Sequence, residues 1–240
     1  MNNELTIEKM KIMKLNGMAR AFETSIKSLD LHNFTQDEIV AHLVEAEYDE
    51  RYNRKLKRLV DYAKFRYQAF FEELNFSETR NINKNMMLRF SDCNWIKKGE
   101  NIIITGSTGV GKSYIACALG HQTCIHGFKV LYMNCLKLFT QLKYSKADGS
   151  YTDEMNKIKK QDLIILDDFG LEVMDLQSRL TLLEIIEDRH GNKSTIITSQ
   201  LPIKNWHEII GDPTIADAIC DRLIHQSHKI ELKGESMRKK

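Results

Sequence analysis

The run Gly106-Ser107-Thr108-Gly109-Val110-Gly111-Lys112-Ser113 is the densest chemistry in the chain. It fits G-x-x-x-x-G-K-[ST], in which the glycines let the backbone curl so that successive N–H groups aim at phosphate oxygens. In such a loop Lys112 would bridge the β- and γ-phosphates, and the Ser113 hydroxyl would ligate Mg²⁺. A glycine-rich turn can match the pattern by chance. Here an apolar run, Asn101–Thr105, precedes it and a helix-forming run, Tyr114–Leu119, follows. That strand-loop-helix context is what phosphate binding at a helix N-terminus requires.

A bound metal needs a carboxylate from a neighbouring strand. The run Leu163-Ile164-Ile165-Leu166 ends in Asp167 and Asp168. A buried parallel strand delivers its last side chains to the carboxyl edge of the sheet, beside the nucleotide. Asp167 would then hold Mg²⁺, and Asp168 would orient and polarise the attacking water. Alone, the same run describes an ordinary strand entering a turn. A third run, Ser194–Gln200, puts Ser199 and Gln200 at a strand tip, where they could sense a γ-phosphate. A strand running into a loop broken by Pro202 accounts for it equally. Arg222 lies near the end of a helical stretch and has two readings. It can pair with Asp217 or Asp221 on the surface, or reach a neighbouring subunit's nucleotide as an arginine finger.

These residues must be positioned by alternating elements. Short β-rich runs occur at 102–105, 129–133, 163–166, 195–199 and 229–232, separated by helical stretches at about 112–126, 136–145, 176–190 and 215–226. That order predicts βαβ units and a parallel sheet with helices on both faces. The first 75 residues read as helical. One helix is expected over about 5–29, with Gly17 as a weak point. A second is expected from the Thr35…Glu38 capping box onward, with an apolar stripe from Ile39 to Leu74. The expected organisation is a helical domain at 1–75, a connector at 76–98 and an α/β domain at 99–240.

Composition narrows the class. The chain has 240 residues, 42% hydrophobic and 28% charged, which suits a packed core and argues against disorder. Two prolines favour long helices, and five cysteines without a CxxC pair read as reduced thiols, not disulfides or a zinc site. No signal-like start and no long apolar run is present, so a cytoplasmic protein with no membrane span is expected. A net charge of +2 is too balanced to claim nucleic-acid binding. Its distribution offers candidates: Arg51, Arg54, Lys55 and Arg58 in one basic run, and Lys137, Lys143 and Lys146 in another stretch. Each can face DNA phosphate or simply solvent. No zinc-finger or homeodomain pattern appears, so base-specific reading is not indicated.

The sequence resembles the IstB transposition-helper ATPases, AAA+ proteins related to the DnaC and DnaI helicase loaders. The resemblance is carried by GSTGVGKS at 106–113, LIILDDFG at 163–170, STIITSQLP at 194–202, Trp206, Gly211-Asp212-Pro213, DAICDRLIH at 217–225 and LKGESMR at 232–238. It is supported less specifically by MKLNGMARAFE at 13–23. It implies a P-loop NTPase of AAA+ type with a five-stranded parallel sheet, the P-loop strand central, no large helical lid and a small all-helical N-terminal domain. It also implies ATP and Mg²⁺ as cofactors, homo-oligomerisation on double-stranded DNA without sequence preference, and a transposase partner. Lys112, Ser113, Asp167 and Asp168 match the family's phosphate and metal groups. The second acid is Asp where the family often has Glu, so slow hydrolysis is expected. Gln200 stands at the sensor position, with Ser199 sharing the role. Arg222 matches the finger, Arg238 matches a terminal arginine expected at the nucleotide, and Arg189 matches an arginine without an assigned role. A helicase loader is the alternative, and a small-molecule P-loop kinase a more distant one.

Overall fold

The computed structural model describes residues 3–28, 35–77 and 80–237. The chain divides into two compact units, Met1–Arg58 and Leu59–Lys240. The division falls between Arg58 and Leu59, inside a helix.

In the first unit, α1 (Asn3–Ile12) and α2 (Asn16–Ser28) replace the single helix expected over 5–29. The break is at Lys14, which adopts φ +61°, and not at Gly17. The next helix, α3 (Gln36–Ala63), starts where the capping box predicts: Thr35 Oγ1 accepts from Glu38 N at 3.3 Å, and Glu38 Oε2 accepts from Thr35 N at 2.7 Å. The buried Glu47 carboxylate of α3 accepts from Gly17 N at 2.8 Å and Met18 N at 3.3 Å. It thereby satisfies the first-turn donors of α2 and meets the positive end of its dipole.

In the second unit α3 ends at Ala63, because Lys64 turns the backbone to φ +56°. The apolar stripe continues in sequence to Leu74, but residues 65–77 form an irregular strap with one 3₁₀ turn, Phe71–Glu73. Two short helices, α4 (Lys84–Phe90) and α5 (Asn94–Lys97), lead into the α/β layers. The order is then β1 (Asn101–Gly106), α6 (Lys112–Ile125), β2 (Val130–Asn134), α7 (Cys135–Asp148), α8 (Tyr151–Lys159), β3 (Leu163–Phe169), α9 (Leu176–Arg189), β4 (Ser194–Ser199), α10 (Trp206–Ile210), α11 (Pro213–Ile224) and β5 (Ser227–Leu232).

All strand pairs are parallel, in the order β2-β3-β4-β1-β5. The P-loop strand β1 therefore lies between β4 and β5, and β4 is the central strand. Ile102–Ile104, Leu163–Leu166, Ile196 and Ile197 are buried, as expected for a sheet covered on both faces. Ile103, Ile164, Leu166 and Ile197 face the cluster built with Leu138, Leu182, Ile185 and Trp206. Ile165 points the other way, onto α6. No helix among the described residues is long and apolar enough to cross a membrane, and all five cysteines are buried and unpaired.

Arg189 holds the edge of the sheet opposite the phosphate loop. Its guanidinium donates to the carbonyls of Ile158, Gln161, Asp162 and Ser194 at 3.2, 3.1, 3.3 and 2.5 Å, and its Nε to Thr195 Oγ1 at 3.4 Å. One planar side chain so ties the end of α8 to the starts of β3 and β4. Arg189→Met should leave these buried carbonyls short of a donor and lower unfolding stability by about 3 kcal/mol or more in urea melts. Nucleotide affinity of the folded variant should stay at the wild-type value.

Candidate nucleotide site

Parallel strands place all their carboxyl ends on one edge, which brings together the loop after β1, the end of β3 and the end of β4. The loop at 106–113 curls through three glycines with positive φ: Gly106 at +147°, Gly109 at +86° and Gly111 at +95°. Gly111 caps α6, and Val110 plugs into the core beneath the loop. Lys112 is buried, and its Nζ donates to the carbonyls of Gly106 at 2.8 Å and Ser107 at 2.9 Å. The ammonium thus lies across the loop's interior, where a phosphate chain would be gripped.

Ser113 Oγ donates to Asp167 Oδ1 at 2.7 Å. Asp167 is fully buried and is saturated with donors: the Thr198 and Tyr132 hydroxyls and Arg66 Nη1 also reach it. Burial, then the bond to Asp167, pushes the Tyr132 phenol well above its ordinary range, so it remains a donor at neutral pH. The adjacent acid is handled differently. The β3–β4 register shifts between Leu166 and Phe169, and within that bulge Asp168 adopts φ +60°. A bulge re-aims a side chain. Asp168 remains partly exposed at the cavity, held by Asn134 Nδ2 at 3.1 Å and Arg66 Nη1 at 3.2 Å, while its N–H donates to Thr198 Oγ1 at 3.1 Å. Asn134 serves twice, since its Oδ1 also caps α7.

A cavity of about 390 Å³ opens above the loop. Thr108, Lys112, Ser113, Asp168 and Gln200 line its phosphate end, and Tyr67, Leu74, Arg80, Tyr114 and Met237 its other walls. The rings of Tyr67 and Tyr114 lie 6.3 Å apart, and Tyr114 donates to Glu73 at 2.8 Å. Arg80 donates to Val110 O at 2.8 Å, and Met237 N to Gly109 O at 3.0 Å, so residues near both ends of this unit buttress the phosphate loop. The oxygen pair of Ser113 and Asp167 suits a hard cation. Among the described residues no cluster of three or more His, Cys, Asp or Glu could hold a metal unaided. Two protein oxygens plus phosphate is the donor set that Mg²⁺ takes.

The expected site residues therefore converge unequally. Gly106 through Ser113, Asp167, Asp168 and Gln200 meet at one edge, and Gln200 Oε1 accepts from Thr108 Oγ1 at 2.7 Å. Ser199 does not join them. Strand alternation turns it away, and its buried hydroxyl donates to Phe169 O at 2.8 Å and accepts from Leu201 N at 3.1 Å. Thr198, on the opposite face, takes the inward position. Arg222 pairs with Glu187 of α9 at 3.0 Å, not with Asp217 or Asp221. Arg238 lies outside the described residues. Arg51 pairs with Glu47 at 2.6 Å, while Arg54, Lys55 and Arg58 are exposed on α3. Lys137 is exposed, Lys143 lies 3.5 Å from Asp175, and Lys146 donates to Thr181 at 3.3 Å. Sequence reasoning missed Arg66, Tyr132, Asn134, Thr198 and Arg80. No sequence signal points to them; the register that sets Asn134 opposite Asp167 brings the β2 residues to the site.

A family model described as IstB-like ATP binding protein matches residues 8–240. The chain belongs to this IstB-like family. It is 44% identical over 234 residues to an insertion sequence ATP-binding protein of Sinorhizobium fredii, covering 98% of this chain and 96% of that one. A second insertion sequence ATP-binding protein, from Pseudomonas fluorescens, is 37% identical over 203 residues, covering 84% and 88%. Among solved structures, the DnaC helicase loader superposes with a TM-score of 0.59 at 21% identity, covering 71% of this chain and 100% of that one. DnaI gives 0.60 at 20%, covering 75% and 92%. These two likenesses show the fold alone, a parallel sheet between helices with a phosphate loop after its first strand.

Gly109→Ala tests the loop of this IstB-like chain. A Cβ there would lie 2.2 Å from Ser236 Oγ and 3.2 Å from its Cα, at a φ of +86°. The strain is about 1–2 kcal/mol, and a fluorescent-nucleotide titration should show binding weakened by about tenfold.

Proposed function

We propose that this chain is an ATP-dependent DNA-binding ATPase that assembles on target DNA and assists a transposase of its insertion sequence. The observation that carries the reading is the Ser113–Asp167 hydrogen bond beneath a glycine-curled loop at the carboxyl edge of the sheet. The names of the insertion sequence relatives support the transposition context.

In this reading Lys112 leaves the loop carbonyls for the β- and γ-phosphates, and the loop N–H groups hold the remaining oxygens. Ser113 and Asp167 hold Mg²⁺, which when bound neutralises phosphate charge. Asp168 orients and polarises the attacking water, with Gln200 beside the terminal phosphate. The shorter reach of Asp168 relative to a glutamate makes turnover slow. Arg222 acts in trans, exchanging Glu187 for the nucleotide of the next copy. Its ion pair with Glu187 is partly exposed, worth about 0–1 kcal/mol, and is cheaply given up.

ATP then stabilises the junction between copies, because its γ-phosphate is fully compensated only when both contribute cations. Hydrolysis loosens it. Assembly would line up basic side chains along double-stranded DNA without reading bases, each contact adding a salt-dependent increment. Arg51, Arg54, Lys55 and Arg58 of the helical N-terminal region are candidates, with Lys137, Lys143 and Lys146. The same region, drawn from sequence as 1–75, is the candidate docking surface for transposase or neighbouring copies, in the cytoplasm. A helicase loader is the second reading, favoured by the fold likeness to DnaC and DnaI. Pull-down with the cognate transposase against a replicative helicase separates the two.

Lys112→Ala should weaken ATP binding by about ten- to a hundredfold and abolish ATP-dependent retention on duplex DNA in the same filter-binding assay. Wild-type DNA retention with ATP would refute the switch. Arg222→Ala should bind nucleotide within about twofold of wild type, yet lose on the order of a hundredfold or more of its hydrolysis at high protein concentration. Unchanged turnover there would remove Arg222 from the role of finger.

A further inference from the structure

Arg66 has no task in the reading above. One nitrogen, Nη1, lies 3.3 Å from Asp167 Oδ2 and 3.2 Å from Asp168 Oδ2, joining both acids. The backbone that carries it is anchored on α6. Phe65 packs so tightly on Gly120 that a Cβ there would come within 2.6 Å of the ring. The backbone of Arg66 and Tyr67 also lies beside the Cys117 thiol of α6. The guanidinium carbon sits 5.4 Å from the centre of the Tyr67 ring, and Tyr67 lines the cavity. Arginine is permanently charged. Its side chain here keeps 38% exposure, so it can swing off the acids into the cavity without leaving solvent.

We infer that Arg66 is an internal counter-cation that occupies Asp167 and Asp168 against a free divalent cation and yields them when an anionic nucleotide enters. The inference rests on the Mg²⁺–ATP reading of the site. With Arg66 in place one of the two negative charges is already offset, and a divalent cation arriving alone meets like charge at hydrogen-bond range. A triphosphate supplies new anionic oxygens for the guanidinium and its own charge for the metal. Cation entry is thereby tied to nucleotide entry. Arg66 is a positioning residue, acting through the two acids.

The test is Mn²⁺ binding to the full chain without nucleotide, followed by electron paramagnetic resonance. Arg66→Gln, which keeps hydrogen-bonding capacity, should bind Mn²⁺ about tenfold more tightly than wild type. Arg66→Lys, which keeps the charge, should stay near wild type. Adding a non-hydrolysable ATP analogue should shrink the difference between Arg66→Gln and wild type. Equal affinities for wild type and Arg66→Gln, or an Arg66→Lys as tight as Arg66→Gln, would overturn the inference. If wild type bound no nucleotide, the ATP reading would fall, while the nucleotide-free comparison would still decide what Arg66 does.

Discussion

A carboxylate with no exposure to water organises this molecule. Burying an ionised acid costs several kcal/mol unless donors replace the water it loses. Asp167 receives hydrogen bonds from Ser113 on α6, Thr198 on β4, Tyr132 on β2 and Arg66 on the strap after α3. Those donors come from four different elements. The requirement of one side chain therefore fixes where the phosphate loop stands relative to three strands. Breaking a single donor would leave a buried charge partly unmet, so the arrangement is cooperative.

The bulge in β3 then divides labour between two identical side chains. A regular strand would send Asp167 and Asp168 to opposite faces, one toward each helix layer. Two residues set against one on β4 break that alternation. Asp167 stays within the sheet edge among hydroxyls, while Asp168 turns into the open cavity. The positive φ of Asp168 is local strain that the neighbouring hydrogen bonds from Asn134 and to Thr198 hold in place. The strain is thus retained beside the cavity, with the carboxylate left partly solvated.

Much of this was legible in sequence because it is local. The glycine pattern, the apolar strands and the Thr35–Glu38 box depend on near neighbours, and each appears where it was expected. Long-range facts were not. Nothing in residues 64–77 announces that the helical stripe breaks at Lys64 and that Tyr67 and Leu74 then line a cavity, since apolar spacing of three and four serves either use. Ser199 and Thr198 differ only by strand parity, which a one-residue error in register inverts. The central place of β4, with β1 beside it, follows from crossovers that the order of elements leaves open. Arg222 next to Asp217 and Asp221 suggests a pairing within its own helix. The partner instead is Glu187, brought in by the packing of α9 on α11.

The same distinction bears on which basic residues can serve a nucleic acid. Lys143 and Lys146 sit beside Asp175 and Thr181, and Lys146 also lies 4.5 Å from the centre of the Tyr151 ring. Turning either toward phosphate would first give up an existing contact. Arg54, Lys55 and Arg58 are exposed on one helix and crowd like charge within two turns. Such crowding destabilises an isolated helix slightly and is relieved by an anion laid along it. In the proposed DNA-binding reading a phosphate backbone gains most from α3, because there binding removes a repulsion as well as adding an attraction.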